Sequence, residues 1–159
     1  MFAGRLLAIA TASTRGAALQ NGESATLVAG EGITGDRYAN SSRESQRPGS
    51  PIEASNEVTL IEQEALETAA SDYQLELSHL ESRRNLLTEG VPLNHLVGRR
   101  FHVGAAILEG VELCEPCKHL ERLTGKKVIK ALLHRGGLRA RIVQGSDIQV
   151  GDRIASEDR

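Results

Sequence analysis

The chain has 159 residues, a formal net charge of −2, 40% hydrophobic residues and 3% aromatic residues. This length suits one domain, residues 1–159, that buries roughly 70% of its unfolded surface. The near-neutral charge implies no general attraction to nucleic acid or to an acidic membrane, and the few aromatic residues argue against a platform for base stacking.

The N-terminus and the cysteine count favour a soluble, cytoplasmic protein. Residues 1–10 contain an apolar run that is too short for a membrane span or a complete signal peptide. Two cysteines are too few for a disulfide framework, so a reducing compartment is the simpler setting. We therefore expect neither a membrane nor a nucleic acid as partner.

Two short apolar segments in the N-terminal third predict β-strands. Residues 6–11 and 25–29 are apolar and follow or precede glycine, serine or asparagine. Three glycines at positions 30–35 then lead to Asp36 and Arg37. This spacing fits either an ordinary glycine-rich turn or a loop that brings Arg37 and free N–H groups to an anionic ligand.

The middle of the chain begins with residues 40–56, which have no periodic pattern and predict a mobile surface loop. Such a loop is either a lid over a site or a simple insertion. Residues 57–61 then alternate as a strand, and residues 62–70 are strong helix formers.

A second helix is predicted over residues 78–87. Its start is fixed by a capping-box pattern, Ser78 with Glu81, and glycine and proline at positions 90 and 92 end it. This segment carries three adjacent polar residues: Arg83, Arg84 and Asn85. They are either a solvated helix face or a recognition site for phosphate or carboxylate, because guanidinium forks match those anions.

The C-terminal half is predicted to be mostly β-structure. Strands are expected at residues 98–104 and 105–113, a short helix at 127–133, and a turn with a last strand at 145–154. With five to seven strands and two or three helices in all, the chain predicts a single β-barrel with helical decoration.

Residues 137–143 give the clearest strand pattern, because apolar and polar side chains alternate with a period of two. One face carries Leu138, Ala140 and Ile142. The other face carries Arg139 and Arg141.

The best candidate for a chemical role is Cys117, in the segment Cys114-Glu115-Pro116-Cys117. Pro116 suits the first turn of a helix, so Cys117 is expected one or two residues inside a helix N-terminus. Unpaired N–H groups there, together with Lys118 and Arg122, favour a thiolate that acts as nucleophile or metal ligand.

Three other interpretations of the cysteine pair stay open. A thioredoxin-type redox pair needs a βαβ context, which is not predicted here. A structural zinc site needs two further ligands, and His95, His102 or His134 would have to approach through folding. The two cysteines could also be buried as small apolar residues.

The order of these segments resembles the MOSC domain family, which is related to the C-terminal domain of molybdenum cofactor sulfurase. The resemblance covers nearly all of residues 4–155 and implies a mainly β fold, a MOSC-type β-barrel with a few peripheral α-helices. The matching segments are residues 32–37, 58–61, 83–86, 96–104, 114–117, 137–140 and 145–152.

The resemblance also implies a role for Cys117. In relatives that bind molybdenum cofactor, the matching cysteine coordinates the metal, and the broader family proposal has it carry a persulfide. The sulfur would come from a pyridoxal-phosphate-dependent cysteine desulfurase, and a molybdoenzyme is the other implied partner. Candidates for binding the cofactor (molybdopterin) and its anionic phosphate are Asp36, Arg37, Arg83, Arg84, Asn85, Arg139 and Arg141.

Three functions are consistent with these patterns. The first is molybdenum-cofactor binding or sulfur carriage through Cys117. The second is reduction of N-hydroxylated compounds with bound molybdenum cofactor, which needs an external electron donor. The third is a non-catalytic binding module in which the cysteine pair is structural.

Overall fold

The computed structural model describes residues 1–44 and 57–157, with residues 41–44 described by their backbone only. The strands are β1 (Ala3–Thr11), β2 (Gln20–Gly22), β3 (Ser24–Val28), β4 (Gly32–Ile33), β5 (Val58–Glu62), β6 (Leu86–Glu89), β7 (Arg100–Val103), β8 (Ala106–Leu113), β9 (Leu138–Gln144), β10 (Ser146–Gln149) and β11 (Arg153–Ser156). The helices are α1 (Arg37–Glu44), α2 (Gln63–Tyr73), α3 (His79–Ser82), α4 (Lys118–Thr124) and α5 (Val128–Leu132), and a 3₁₀ turn spans Leu93–Leu96.

Within the described residues, seven strands close a barrel in the order β11-β7-β8-β9-β5-β6-β1, and β1 pairs with β11 to complete it. The pairs are antiparallel except β5–β6, whose strands are connected through α2 and α3. β2 extends the far end of β1, and β10, β3 and β4 form a separate small sheet. The predicted mainly β barrel is confirmed.

The barrel interior is filled by aliphatic side chains, as the scarcity of aromatic residues requires. β9 has the predicted faces: Leu138, Ala140 and Ile142 are buried, while Arg139 and Arg141 are only partly so. Each fully buried leucine contributes roughly 1.5–3 kcal/mol of hydrophobic free energy.

A second apolar cluster packs the helices onto the outside of the barrel. Leu66 of α2, Leu120 of α4, and Val128 and Leu132 of α5 are buried against Ile61 of β5. This cluster holds α4 in place at the edge of the barrel, and α4 begins directly after Cys117.

The helix predicted over residues 78–87 is much shorter than expected. Its start is confirmed, because Ser78 and Glu81 form both hydrogen bonds of a capping box. It ends at Ser82, because Arg83 adopts a left-handed conformation (φ 60°) that closes the last turn. Leu86, predicted as helical, begins strand β6 instead.

Helix α1 was not predicted, since residues 40–56 were assigned to a mobile loop. Residues 40–44 belong to this helix, and residues 45–56 lie outside the described part of the chain. The sequence feature that indicates the start of this helix is Asp36, whose carboxylate accepts from the N–H of Tyr38 as an N-terminal cap does. The sequence also gave too few strands, because β2 and β4 are very short and the C-terminal segment forms both β10 and β11.

In the described part of the chain, no helix combines the length and apolar character needed to cross a membrane.

Candidate functional site

A pocket of about 530 Å³ lies where the loop after β1, the start of α1, the corner between α3 and β6 and the start of α4 meet. Cys117 lines it, together with five arginines. Among the residues that the structure describes, no aspartate or glutamate lines the pocket. The five arginines are Arg15, Arg37, Arg83, Arg84 and Arg139.

Two slightly larger grooves lie elsewhere on the protein. One of about 620 Å³ runs beside β1, β7 and β11, and one of about 600 Å³ lies beside β3 and β10. Neither is lined by a cysteine. The smaller pocket is therefore the better candidate for chemistry, because it combines a nucleophile with a cluster of positive charge.

Cys117 is exposed and precedes helix α4 as its N-terminal cap residue, with an extended backbone (φ −133°). The prediction that Cys117 lies one or two residues inside the helix is therefore wrong, because Cys117 is the residue directly before the first helical position. The reason is packing: Pro116 is buried against Gly136, where any side chain would collide with the proline ring, so the helix begins only at Lys118. The thiol is left outside the helix and accessible from the pocket.

Cys114 has a different environment. It directly follows β8 and is only 2% exposed, so the interpretation as a small buried residue fits this cysteine but not Cys117. Its N–H donates to the carbonyl oxygen of Gly137 (2.8 Å). The pair flanks a connection from a strand to a short helix and not a βαβ unit.

Arg84 holds the backbone of the cysteine segment (residues 114–117) in place. It is 8% exposed, and its Nε, Nη1 and Nη2 donate to the carbonyl oxygens of Gly136 (2.9 Å), Ser82 (3.1 Å) and Cys114 (3.0 Å). Charged hydrogen bonds of this kind are stronger than neutral ones. Arg84 therefore connects the backbones of three separate segments at the base of the pocket.

Arg37 is equally buried and connects α1 to the same corner. Its guanidinium donates to Asp36 Oδ1 (3.2 Å) and to the carbonyl oxygen of Arg83 (2.9 Å). It also lies over the Tyr38 ring, 4.4 Å from the centroid, which is a cation–π geometry. Much of its hydrogen-bonding capacity is therefore used within the protein.

Two of the predicted cofactor-binding residues are fully buried and do not line the pocket. Asp36 is 0% exposed and accepts from the N–H of Ala12 (3.0 Å). Asn85 is also 0% exposed; its amide oxygen accepts from the N–H and hydroxyl of Thr59, and its amide nitrogen donates to Ala10. The polar atoms of Asp36 and Asn85 bond to backbone groups of other segments, so both residues connect parts of the fold.

Arg83 is the more exposed member of the arginine pair. Its Nη1 donates to the carbonyl oxygen of Ala17 (2.7 Å). Burial lowers the pKa of Arg83, and the nearby charge of Arg37 lowers it further. An anion in the pocket would relieve this repulsion between guanidinium groups, so the pair favours a negatively charged ligand.

Arg139 approaches the pocket from β9. Burial alone would lower its pKa, but Cys114, Tyr38 and Glu112 together raise it. Its guanidinium lies near the Tyr38 hydroxyl and 3.8 Å from a carboxylate oxygen of Glu112. Its position beside Cys114 brings positive charge to the base of the cysteine segment.

Arg141, also predicted to bind the cofactor, does not line this pocket. It shares a strand face with Arg139 but lies two residues further along β9, about 7 Å away. There it pairs with Glu109 of β8 (2.9 Å), which also binds Arg100 (3.2 Å). These two arginines lower the pKa of Glu109.

The sequence missed part of the pocket wall. The loop after β1 was not among the predicted site segments, yet Arg15 and its neighbours line the pocket. Asn40 of α1 is also a lining residue and holds this loop through a hydrogen bond to the carbonyl oxygen of Ser13 (2.8 Å). His119 contributes from the first turn of α4. The serine, threonine and glycine beside Arg15 were the available signal.

The donor set at the pocket is one accessible thiol surrounded by guanidinium groups. Within the described residues, no three histidine, cysteine, aspartate or glutamate side chains are grouped to hold a metal ion. The chemistry therefore fits an anionic ligand that brings its own further donors to a metal or sulfur atom at Cys117.

Comparisons with known proteins agree with this architecture. A family model for the MOSC domain matches residues 29–155. No curated protein is similar enough in sequence to count as a match.

Solved structures share the fold at low sequence identity. YuaD from Bacillus subtilis is 16% identical with a TM-score of 0.79, over 99% of this chain and 100% of that chain. YiiM from Geobacillus stearothermophilus is 12% identical with a TM-score of 0.69, over 98% and 76%. YiiM from Escherichia coli is 14% identical with a TM-score of 0.66, over 98% and 70%. At these identities the likeness concerns the fold alone.

Proposed function

Because the chain belongs to the MOSC domain family, we propose that its pocket serves molybdenum-cofactor or sulfur handling, with Cys117 as the reacting group. The observation that carries this proposal is the exposed thiol in a pocket lined by five arginines. A thiolate is a soft ligand and a strong nucleophile, and the arginines that line the same pocket suit an anionic ligand.

The pocket suits molybdenum cofactor in its charge and donor type. Arg15, Arg83 and Arg139 are the candidates for binding the pterin phosphate, because Arg37 and Arg84 donate largely to groups of the protein itself. Cys117 would supply a sulfur ligand to the metal. When bound, the cofactor would supply a metal centre that changes oxidation state.

Sulfur carriage uses the same thiol without a metal. The Cys117 thiolate would attack the outer sulfur of a persulfide on a cysteine desulfurase that depends on pyridoxal phosphate. The donor's S–S bond breaks, the donor cysteine leaves as a thiolate, and Cys117 retains the sulfur as a persulfide. A molybdoenzyme is the proposed acceptor. The role of the protein in this step is to hold the thiol accessible and to stabilise its anionic forms.

The test compares wild type with Cys117→Ser and Cys114→Ser, each produced in a molybdenum-replete host together with a desulfurase. Bound molybdenum, pterin and cyanide-releasable sulfur are measured in the purified proteins. We expect Cys117→Ser to lose the ligand, because a hydroxyl neither binds a soft metal well nor holds sulfane sulfur. Cys114→Ser is the matched control and should retain it.

The proposal fails if wild type carries none of the three species under these conditions. It also fails if zinc is found in wild type and both substitutions unfold the protein, because the cysteine pair is then structural.

A further inference from the structure

The segment that follows Cys117 is far more basic than the rest of the chain. Residues 118–135, which contain α4 and α5, include six lysines and arginines and one acidic residue, a net charge of +5. The whole protein has a net charge of −2, so the remaining residues carry −7. We call residues 118–135 the α4–α5 face.

Within the part of the chain that the structure describes, most positive charges of this face have no ion-pair partner. Lys118, Arg122, Lys127 and Lys130 are exposed, and none of them makes an ion pair with a residue that the structure describes. Lys126 is different, because it pairs with Glu81 (2.9 Å).

The one acidic residue of the face is also directed to a partner within the protein. Glu121 accepts from the N–H of Ile129 at 3.4 Å and so connects α4 with α5. Its charge is already counted in the net +5 of the face, so positive charge remains in excess there.

Two large apolar side chains are exposed on the same segment. Leu123 is 45% exposed and Leu133 is 50% exposed. A single exposed leucine needs no explanation. Exposed leucines on the same segment as exposed cations, however, are typical of a surface that another protein covers, since apolar contacts provide the affinity and charges provide the orientation.

The face adjoins the thiol. Helix α4 begins at Lys118, and His119 and Leu120 line the pocket beside Cys117. Leu120 and Leu132 are anchored in the apolar cluster on the barrel, so the two helices present a fixed surface. A protein that lies on this surface reaches the thiol without any rearrangement of the fold.

We propose that the α4–α5 face is the docking surface for an acidic protein that exchanges sulfur or cofactor with Cys117. The proposal rests on the proposed function, because it identifies what brings the ligand to the pocket. A protein fits better than a nucleic acid, since phosphates would leave Leu123 and Leu133 exposed and the face has no phenylalanine, tyrosine or tryptophan for stacking bases.

The test uses thiol exchange with charged peptides. A glutamate-rich peptide that contains leucines and one cysteine is activated as a 2-thiopyridyl disulfide, and lysine-rich and serine-rich peptides of equal length are compared with it. Release of the thiopyridine gives the rate, and mass analysis identifies Cys117 as the modified residue. Attack by the Cys117 thiolate breaks the activated S–S bond, forms a protein–peptide disulfide and releases thiopyridine.

We expect the glutamate-rich peptide to react about tenfold faster than the lysine-rich peptide at low salt, since charge steering of association has this order of magnitude. Lys127→Glu with Lys130→Glu should remove most of this advantage, because neither residue lines the pocket. Near 1 M salt the advantage should disappear, since the screening length is then about 3 Å.

The matched control is Arg99→Glu with Arg153→Glu, which makes the same change in net charge at exposed positions outside the face and the pocket. It should leave the peptide preference unchanged. Iodoacetamide, which is small and neutral, should alkylate Cys117 at the same rate in all variants.

Two results would overturn the proposal. One is an equal loss of preference in both charge-reversal variants, which would mean that net charge and not this face attracts the peptide. The other is an oligonucleotide, activated as the same disulfide, that reacts with Cys117 as fast as the glutamate-rich peptide does. Neither measurement needs bound molybdenum or sulfur, so failure of the proposed function would be seen separately.

Discussion

The glycine-rich corner before α1 (residues 30–37) and the cysteine segment before α4 (residues 114–117) both have loop sequences suited to binding, yet they use their polar groups differently. In the glycine-rich corner, Asp36 and Arg37 are buried and bonded to the protein. In the cysteine segment the backbone is held by Arg84, while the Cys117 side chain is exposed. The first region shapes the pocket, and the second presents a reactive group in it.

Arg83 and Arg84, which directly follow α3, show the same contrast between a structural side chain and an accessible one. Both line the pocket, but Arg84 is buried and donates to three backbone carbonyls, whereas Arg83 is less buried and has one carbonyl partner. A charged residue whose donors are satisfied internally contributes mainly to stability. A charged residue with accessible donors can bind a ligand. Substitutions can therefore separate the two roles.

The largest expected effect is from Asp36→Ala in the glycine-rich corner. It removes the acceptor for Ala12 and leaves the buried charge of Arg37 without its carboxylate. Breaking a buried ion pair in this way should lower the free energy of unfolding by about 3–5 kcal/mol. Urea denaturation measures the change, with the exposed Asp72→Ala as control. A loss below about 1 kcal/mol would contradict the structural role.

The next effect is from Arg84→Ala. It leaves the carbonyls of Gly136 and Cys114 without a partner, so the free energy of unfolding should fall by at least one charged hydrogen bond, about 1.5–3 kcal/mol. The rate of Cys117 alkylation should change as well, because the start of the cysteine segment is released. Unchanged stability with weaker binding of phosphate would instead mean that Arg84 is mainly a ligand residue.

Arg83→Ala should weaken phosphate binding more than it lowers stability, the reverse of Arg84→Ala. Its guanidinium has one carbonyl partner, Ala17, against three for Arg84, so stability should fall less than in Arg84→Ala. Binding of inorganic phosphate should weaken by about 1–2 kcal/mol, as for a charged hydrogen bond at a partly exposed site. Titration calorimetry measures this, and Arg141→Ala, outside the pocket, is the control. Equal weakening in both variants would show that general charge and not the pocket binds phosphate.

The smallest effect concerns pH and Glu57, which fastens the glycine-rich corner to β9. Burial raises its pKa above the usual 4.5, although the N–H groups of Gly30 and Ile142 donate to it. A carboxyl whose pKa is higher in the folded state stabilises most below pH 4.5 and loses this contribution as the pH rises through the folded pKa.

Glu57→Gln removes this titration with little change in shape. The unfolding free energy of wild type, relative to that of the variant, should therefore fall between pH 4.5 and pH 7. Urea denaturation at several pH values measures the difference. A difference that is constant, or that grows with pH, would contradict the raised pKa.

Short-range sequence patterns were sufficient to predict several secondary-structure elements of this protein. The period-two alternation of residues 137–143 gave strand β9 and both of its faces, and the Ser78–Glu81 capping box gave the start of α3. Such patterns are readable because the interactions that cause them lie within a few residues. For the same reason the charged environment of Cys117 made it the best candidate.

Only the tertiary structure decided which polar residues face the pocket. Arg83 and Arg84 are neighbours of the same type, and nothing local distinguishes them. The carbonyl partners of Arg84 are 30 and 52 residues away in the chain, and Asp36 meets its partner Ala12 across 24 residues. Whether a polar side chain is used within the protein or stays accessible to a ligand depends on which backbone groups folding brings within hydrogen-bond distance. A buried polar group must find such a partner.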